Sequence, residues 1–287
     1  MTAAELAAAR TLVALALAED LGDRGDVTSL ATIPADATGQ AAFVARRPGV
    51  VAGLHLIPLV ADAVDPTLLV ELLAEDGAAV VPGDRLATIA GPLRSLLATE
   101  RTALNFVQRL SGVATLTRRY VDAVAGTRAQ VLDTRKTTPG WRLLEKFAVR
   151  CGGGTNHRVG LYDTVLIKDN HLAGLGADAV RRAVTASRQH APGLAVEVEV
   201  DTLDQLDDAL AVRADIVLLD NLPADALREA VRRRDAVSPG TRLEASGGVT
   251  LDTIRGLAEA GVDRISVGAL THSAPALDIG LDWVRDS

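Results

Sequence analysis

The sequence has a single cysteine, Cys151, among its 287 residues. No intrachain disulfide and no cysteine-based zinc site can be built from it. A reducing cytoplasm suits such a chain. Aromatic residues make up 2% of the chain against 48% hydrophobic residues overall, so Leu, Val, Ala and Ile must fill the core. No apolar run approaches the about 20 residues that a membrane helix needs. Residues 12–18 are apolar but read as one side of a buried helix that ends before Gly22. The start, Met1-Thr2-Ala3-Ala4-Glu5, lacks the positive charge of a signal peptide. The net charge is −7, which argues against general binding to nucleic acid or a membrane surface. No strict repeat and no low-complexity segment is present. These absences point to a soluble enzyme or binding protein of one large or two medium domains.

Lysine is the other scarcity. Of 30 basic residues only three are Lys: Lys136, Lys146 and Lys168, all within one 33-residue window. Arg is a permanently charged planar fork, whereas Lys is a compact point charge whose pKa burial can tune. The window 135–171 carries seven basic residues against three acidic ones, leaving −11 for the rest of the chain. A cationic island in an acidic protein suits an anionic ligand. Arg142, Lys146 and Arg150 recur every four residues, and with Glu145 they read as the solvated face of a helix. Arg135, Lys136, His157, Arg158 and Lys168 fall at strand ends or in loops, where function concentrates.

Two patterns divide the chain. Up to about Gly112 it mixes helix and strand, with a helix over 5–21, a charged turn over 22–28 and strands over 41–45 and 68–73. Residues 75–91 resemble a lipoyl-type hammerhead turn without a lysine to modify, and read as structural. Helices are expected over 93–110 and 113–124, broken near Ser111-Gly112. From about Ala129, short apolar runs alternate with helical stretches, as βα units do. Six strands are expected: 130–132, 164–167, 196–200, 216–219, 242–245 and 264–267. Each is followed by polar or glycine chemistry, as at the C-terminal mouth of a β/α barrel. The strand Val196-Glu197-Val198-Glu199-Val200 favours a barrel over an open doubly wound sheet. Its two glutamates share one face, which suits a barrel interior near a polar mouth, and Glu244 repeats the message.

Several residues have chemistry to offer. Glu199 and Asp220 end adjacent strands and could hold Mg2+, which takes oxygen ligands together with substrate phosphates, or could compensate Lys168 and Arg135. Ser246-Gly247-Gly248 and Val267-Gly268-Ala269, with Thr271 and His272 beyond, make two glycine turns at the end of the βα series, where barrels often bind phosphate. Gly152-Gly153-Gly154 permits close backbone approach. Cys151 has no motif around it and reads as a small packed residue.

Taken together the segments resemble the quinolinate phosphoribosyltransferase family over nearly the whole chain. The motifs are Glu19-Asp-Leu-Gly22, Gly25-Asp-Val-Thr28, Thr99-Glu-Arg-Thr-Ala-Leu-Asn105, Leu110-Ser-Gly-Val-Ala-Thr115, Asp133-Thr-Arg-Lys-Thr-Thr-Pro-Gly140 and Gly152-Gly-Gly-Thr-Asn-His-Arg158, followed by Leu166-Ile-Lys-Asp-Asn-His171, Glu197-Val-Glu-Val200, Leu219-Asp-Asn221, Ser246-Gly-Gly248 and Val267-Gly-Ala-Leu-Thr-His-Ser273. Trp141 departs from the family, where Leu is more usual. The resemblance implies transfer of phosphoribosyl from phosphoribosyl pyrophosphate to quinolinate, with release of pyrophosphate and CO2, giving nicotinate mononucleotide for NAD synthesis. It implies that Arg135, His157, Arg158 and Lys168 hold the quinolinate carboxylates, with Arg101 reaching in from the neighbouring subunit of a homodimer or larger assembly. Lys136 and Lys168 would face phosphoribosyl pyrophosphate, Glu199 and Asp220 the Mg2+ and ribose, and Ser246, Gly247, Gly268 and His272 the 5′-phosphate. It also implies an N-terminal α/β sandwich over 1–112, joined by a tail over 274–287, and an incomplete six-unit β/α barrel over 113–273. Two other readings stay open on the residues: a ModD-like phosphoribosyltransferase relative, and a barrel lyase using Lys168 as a Schiff-base nucleophile.

Overall fold

The computed structural model describes residues 1–174, 176 and 178–284. They form two compact units, one from Met1–Arg118, Thr137–Gly153 and the stretch from Leu270, the other from Arg119–Lys136 and Gly154–Ala269. The units thus do not divide at residue 112. Residues 137–153, expected with the barrel, cluster with the N-terminal part.

The first unit opens with α1 (Ala3–Leu21), capped by a reciprocal Thr2–Glu5 box and ended by Gly22 at φ 50°. Asp26 caps α2 (Val27–Thr32) by accepting from the Thr28 and Ser29 amides, so the end of the expected charged turn is already helical. Then come β1 (Thr38–Ala45), β2 (Gly49–Val50), α3 (Leu56–Val64), β3 (Leu69–Leu72), β4 (Ala79–Val80), β5 (Arg85–Pro92) and the long α4 (Leu93–Ala123). The expected break at Ser111-Gly112 does not occur. Gly112 is there for space: a Cβ on it would lie 2.0 Å from the carbonyl oxygen of Pro275. A residue chosen for close approach reads in sequence like a helix breaker.

After β6 (Gln130–Leu132) the chain returns to the first unit as α5 (Arg142–Cys151). The solvated face expected of Arg142, Lys146 and Arg150 holds for the exposed Arg150 but is corrected for Lys146. Lys146 is buried, as is Glu145, which accepts from Arg109 at 2.7 Å and from the Thr138 amide at 3.0 Å. Arg142 donates to Thr137 and Arg150 to Glu5, the latter at 2.6 Å. Trp141 stacks on Phe106 with centroids 4.9 Å apart, so this half-buried residue just before α5 packs against α4.

The second unit continues with β7 (Val165–Ile167), α6 (Asp169–Leu172), α7 (Ala179–His190), β8 (Val196–Val200), α8 (Leu203–Ala211), β9 (Ile216–Asp220), α9 (Ala224–Val237), β10 (Arg242–Ser246), α10 (Leu251–Glu259) and β11 (Arg264–Ser266). Its six strands are parallel in the order β6-β11-β10-β9-β8-β7. That order winds in one direction without reversal, as a barrel does and a doubly wound sheet does not. The winding is open between β6 and β7, and the free edge of β6 is met by Thr155 in a parallel bridge with Leu132. Val196, Val198 and Val200 are buried on the outer face of β8 while Glu197 and Glu199 point inward.

The chain ends, in the first unit, with α11 (Ala269–His272) and β12 (Ile279–Trp283), α11 beginning on the boundary residue Ala269. The sheet there has the order β12-β1-β5-β3, with β12 antiparallel to β1. The last three residues of the expected tail, 285–287, lie outside the described residues.

Candidate active site

The parallel register stacks the barrel interior in layers. Glu197 and Ile216 are level in the lower one, Glu199, Leu218, Glu244 and Arg264 in the next, and Asp220 with Ser246 above them. A cavity of about 310 Å3 opens at the upper end. Its walls are Thr134, Arg135, Lys136, His157, Arg158, Leu166, Lys168, Glu199, Leu218, Asp220, Ser246 and Ser266. Eight of the residues singled out from sequence therefore meet in one place, with cations from the segments after β6 and β7 and carboxylates from β8 and β9.

Each wall has a local cause. Asp133, fully buried after β6, accepts from the His157 amide at 2.8 Å and from the Asn156 side chain at 2.6 Å. It thereby fixes the segment that follows the glycine run. Asp163 accepts from the amides of Val159 and Gly160, folding the next loop back. Arg158 donates to the Thr164 carbonyl at 3.3 Å. Burial, and then the charge of Arg135, lower its pKa from the usual guanidinium value. Lys168 forms an ion pair with Glu199.

His157 is held at both ring nitrogens. Its Nε2 lies 3.3 Å from Glu197 and 3.2 Å from Glu244, while its Nδ1 accepts from the Arg158 amide at 2.7 Å. Burial alone would depress its pKa, but the two carboxylates outweigh that and raise it to about 9. The Arg158 amide needs a lone pair on Nδ1, so protonation of the ring would break that contact. Glu244 is fully buried, which opposes its ionisation, yet His157 and Arg264 hold it below the usual carboxylate range. A second cavity of about 210 Å3 shares His157 and Arg158 with the first and is bordered by Glu197, Arg242 and Arg264.

The glycine turn after β10 interlocks with the end of β9. Asn221, at φ 54°, donates to Asp220 at 2.7 Å, and its own amide donates to the Ser246 carbonyl. Gly247 has φ +97°, and a Cβ there would lie 2.1 Å from the Asn221 side-chain oxygen. Ser246 lines the cavity; Gly247 follows it directly. Gly268 lies two residues beyond Ser266, another lining residue. Arg101, exposed on α4, and His272, on α11 beside Ser273, belong to the other compact unit.

Sequence reasoning did not single out Thr134, Leu166, Leu218 or Ser266 as lining, nor Asp133 and Arg264 as supports. Alternation would have found Ser266, which points inward two residues after Arg264. Half-buried Cys151 agrees with a packed thiol, its pKa pushed up to about 12 by desolvation.

Family models for the quinolinate phosphoribosyl transferase N-terminal and C-terminal domains match residues 26–111 and 113–282. The chain belongs to the quinolinate phosphoribosyltransferase family. It is 49% identical over 280 residues to a nicotinate-nucleotide pyrophosphorylase (carboxylating) of Mycobacterium leprae, covering 97% of this chain and 98% of that protein. A probable enzyme of the same name from Synechocystis is 44% identical over 94% of this chain and 90% of its own length. Among solved structures, the nicotinate-nucleotide pyrophosphorylase of Francisella tularensis superposes with a TM-score of 0.90 at 38% identity, covering 97% of this chain and 96% of that one. Within the quinolinate phosphoribosyltransferase family the N-terminal α/β domain and six-strand barrel are the expected architecture, and both are present here. The names of these relatives favour the pyridine-nucleotide reading over the ModD-like one.

Proposed function

We propose that this chain joins quinolinate to phosphoribosyl pyrophosphate, releasing pyrophosphate and CO2 and leaving nicotinate mononucleotide for NAD synthesis. The observation that carries the reading is the polarity of the 310 Å3 cavity, with Arg135, Lys136, His157, Arg158 and Lys168 gathered against Glu199 and Asp220. A ligand with two carboxylates on adjacent ring carbons needs several cations of defined direction, and this wall supplies them. Ser246, Gly247, Gly268 and His272 are proposed for the 5′-phosphate. The positive φ of Gly247 supports that role by leaving its backbone accessible to an anion.

Bond formation between the quinolinate ring nitrogen and ribose C1 displaces pyrophosphate. Positive charge grows on the ribose as negative charge grows on the leaving group. Lys136 and Lys168 are suited to stabilise the second, and Glu199 and Asp220 the first. Once the ring nitrogen is quaternised, the bond from C2 to its carboxylate breaks. The electron pair stays on C2 beside the cationic nitrogen, CO2 leaves, and a proton from solvent completes the product. Glu199 and Asp220 are hard oxygen donors on neighbouring strands of one cavity, a set that fits Mg2+. When bound with substrate phosphates, Mg2+ would offset the charge of the leaving pyrophosphate.

The working unit is proposed to be a homodimer or larger assembly in which Arg101 serves the neighbouring active site. Its support is that Arg101 is exposed and has no side-chain partner among the described residues. A cytoplasmic location is supported by the single, half-buried thiol. Among the described residues no helix is long and apolar enough to cross a membrane.

The test is product detection with purified protein, Mg2+ and phosphoribosyl pyrophosphate. Quinolinate is expected to give nicotinate mononucleotide and CO2 in equal amounts, with nicotinate a poor substrate. Equal use of nicotinate would overturn the assignment.

A further inference from the structure

Glu197, Glu244 and Arg264 do not line the main cavity and have no role in the proposed chemistry, yet they are buried charges of the barrel. Both glutamates are fully buried, and Arg264 and His157 are 9% exposed. Burying carboxylates is costly unless their partners are well placed. Here the partners form one connected set. Arg264 Nε lies 2.8 Å from Glu244 Oε2, and the two residues are register partners on β10 and β11. The other oxygen of Glu244 and one oxygen of Glu197 converge on His157 Nε2, and the Ser266 side chain adds a contact to Glu244. On its far side Nδ1 faces the Arg158 amide at 2.7 Å, and Arg158 follows His157 directly in the chain, so the placement of the ring sets that of Arg158. The chain of contacts thus runs from the barrel core to the residue whose guanidinium lines the cavity.

We infer that Glu197, Glu244 and Arg264 are positioning residues, a buried clamp on His157 that sets Arg158 and the imidazole for the substrate carboxylates. The inference rests on the proposed reaction. Its physical logic is that His157 and Arg158 sit at the open seam, between the Thr155 bridge and β7, where no strand ladder fixes them. Asp133 holds the His157 backbone from one side, and the clamp holds the ring from the other. The charged and titratable groups facing it are Asp133 after β6, Arg158 on its own segment, Glu197 on β8, Glu244 on β10 and Arg264 on β11, with Arg135 acting on Arg158. The two clamp carboxylates outweigh the one guanidinium beside them, so the set favours positive charge on the ring.

Glu197→Gln and Glu244→Gln keep side-chain shape and remove the charge. Each is expected to raise the KM for quinolinate by about tenfold, the scale of one lost buried hydrogen bond to a charge. The KM for phosphoribosyl pyrophosphate should stay within about twofold. A purely structural role would instead move both constants together, and that result, or no change in either, overturns the proposal. Histidine nitrogen NMR gives a readout independent of turnover. In the unaltered protein His157 should titrate near 9 and in each variant lower, whereas an ordinary imidazole titration in the unaltered protein overturns the clamp. If quinolinate is not a substrate at all, the proposed reaction fails while the NMR measurement still judges the clamp, including when a variant does not fold.

Discussion

Lys168 shows what a single residue could and could not disclose. Its rarity in an arginine-rich chain marked it, and the structure places it at the end of β7 paired with Glu199 across the cavity mouth. The Lys168→Ala variant should stay folded, because the side chain is partly exposed, and should lose at least about a hundredfold in kcat. Circular dichroism with steady-state kinetics checks both halves, and a fully active variant would remove Lys168 from the mechanism. Strand-end residues such as Arg135, Asp220 and Ser246 were legible because a barrel delivers strand ends to one face whatever its details. Lys146 was not. Charges spaced by four on a helix read as a solvated face, and only tertiary packing reveals that this one is enclosed. The clamp residues were half legible: inward glutamates are visible in the alternation of β8, but the histidine they hold lies about forty residues earlier in the chain.

At the scale of elements, α4 carries the clearest misreading. Its 31 residues run unbroken through Gly112, because that glycine makes room for the backbone at Pro275 and does not end a helix. Helix propensity alone would favour Gly112→Ala by up to about 1 kcal/mol. The contact predicts the opposite sign, a destabilisation of about 1–3 kcal/mol from overpacking against an immobile carbonyl. Urea unfolding decides between them, and a stabilised variant would show that the approach is not constrained. The six barrel strands were read to within a residue or so at each end. Their apolar runs are bounded by polar or glycine residues, and a strand covered on its outer face by helices leaves little ambiguity.

For the whole molecule, the two family domains meet at residue 112, while the compact units interleave along the chain. Residues 137–153 leave the barrel between its first two strands and join the N-terminal unit. Composition does not change there, so only contacts disclose it. The edge strand β12 is similar: it pairs with β1 across more than 200 residues of sequence and is tied by Arg46 and Asp282. Removing the chain from residue 279 should expose the edge of β1, lower the melting temperature by several degrees and promote aggregation. Calorimetry and light scattering measure this, and an unchanged midpoint would mean that β12 adds nothing. The open winding between β6 and β7 has a different kind of consequence. Elsewhere in the barrel a change of length would shift a ladder register and turn side chains inside out. Between the Thr155 bridge and β7 there is no ladder to shift, so insertions and deletions there can reshape the substrate-facing wall while the barrel stays in register. The seam is therefore where a new substrate preference could be evolved or engineered at least structural risk.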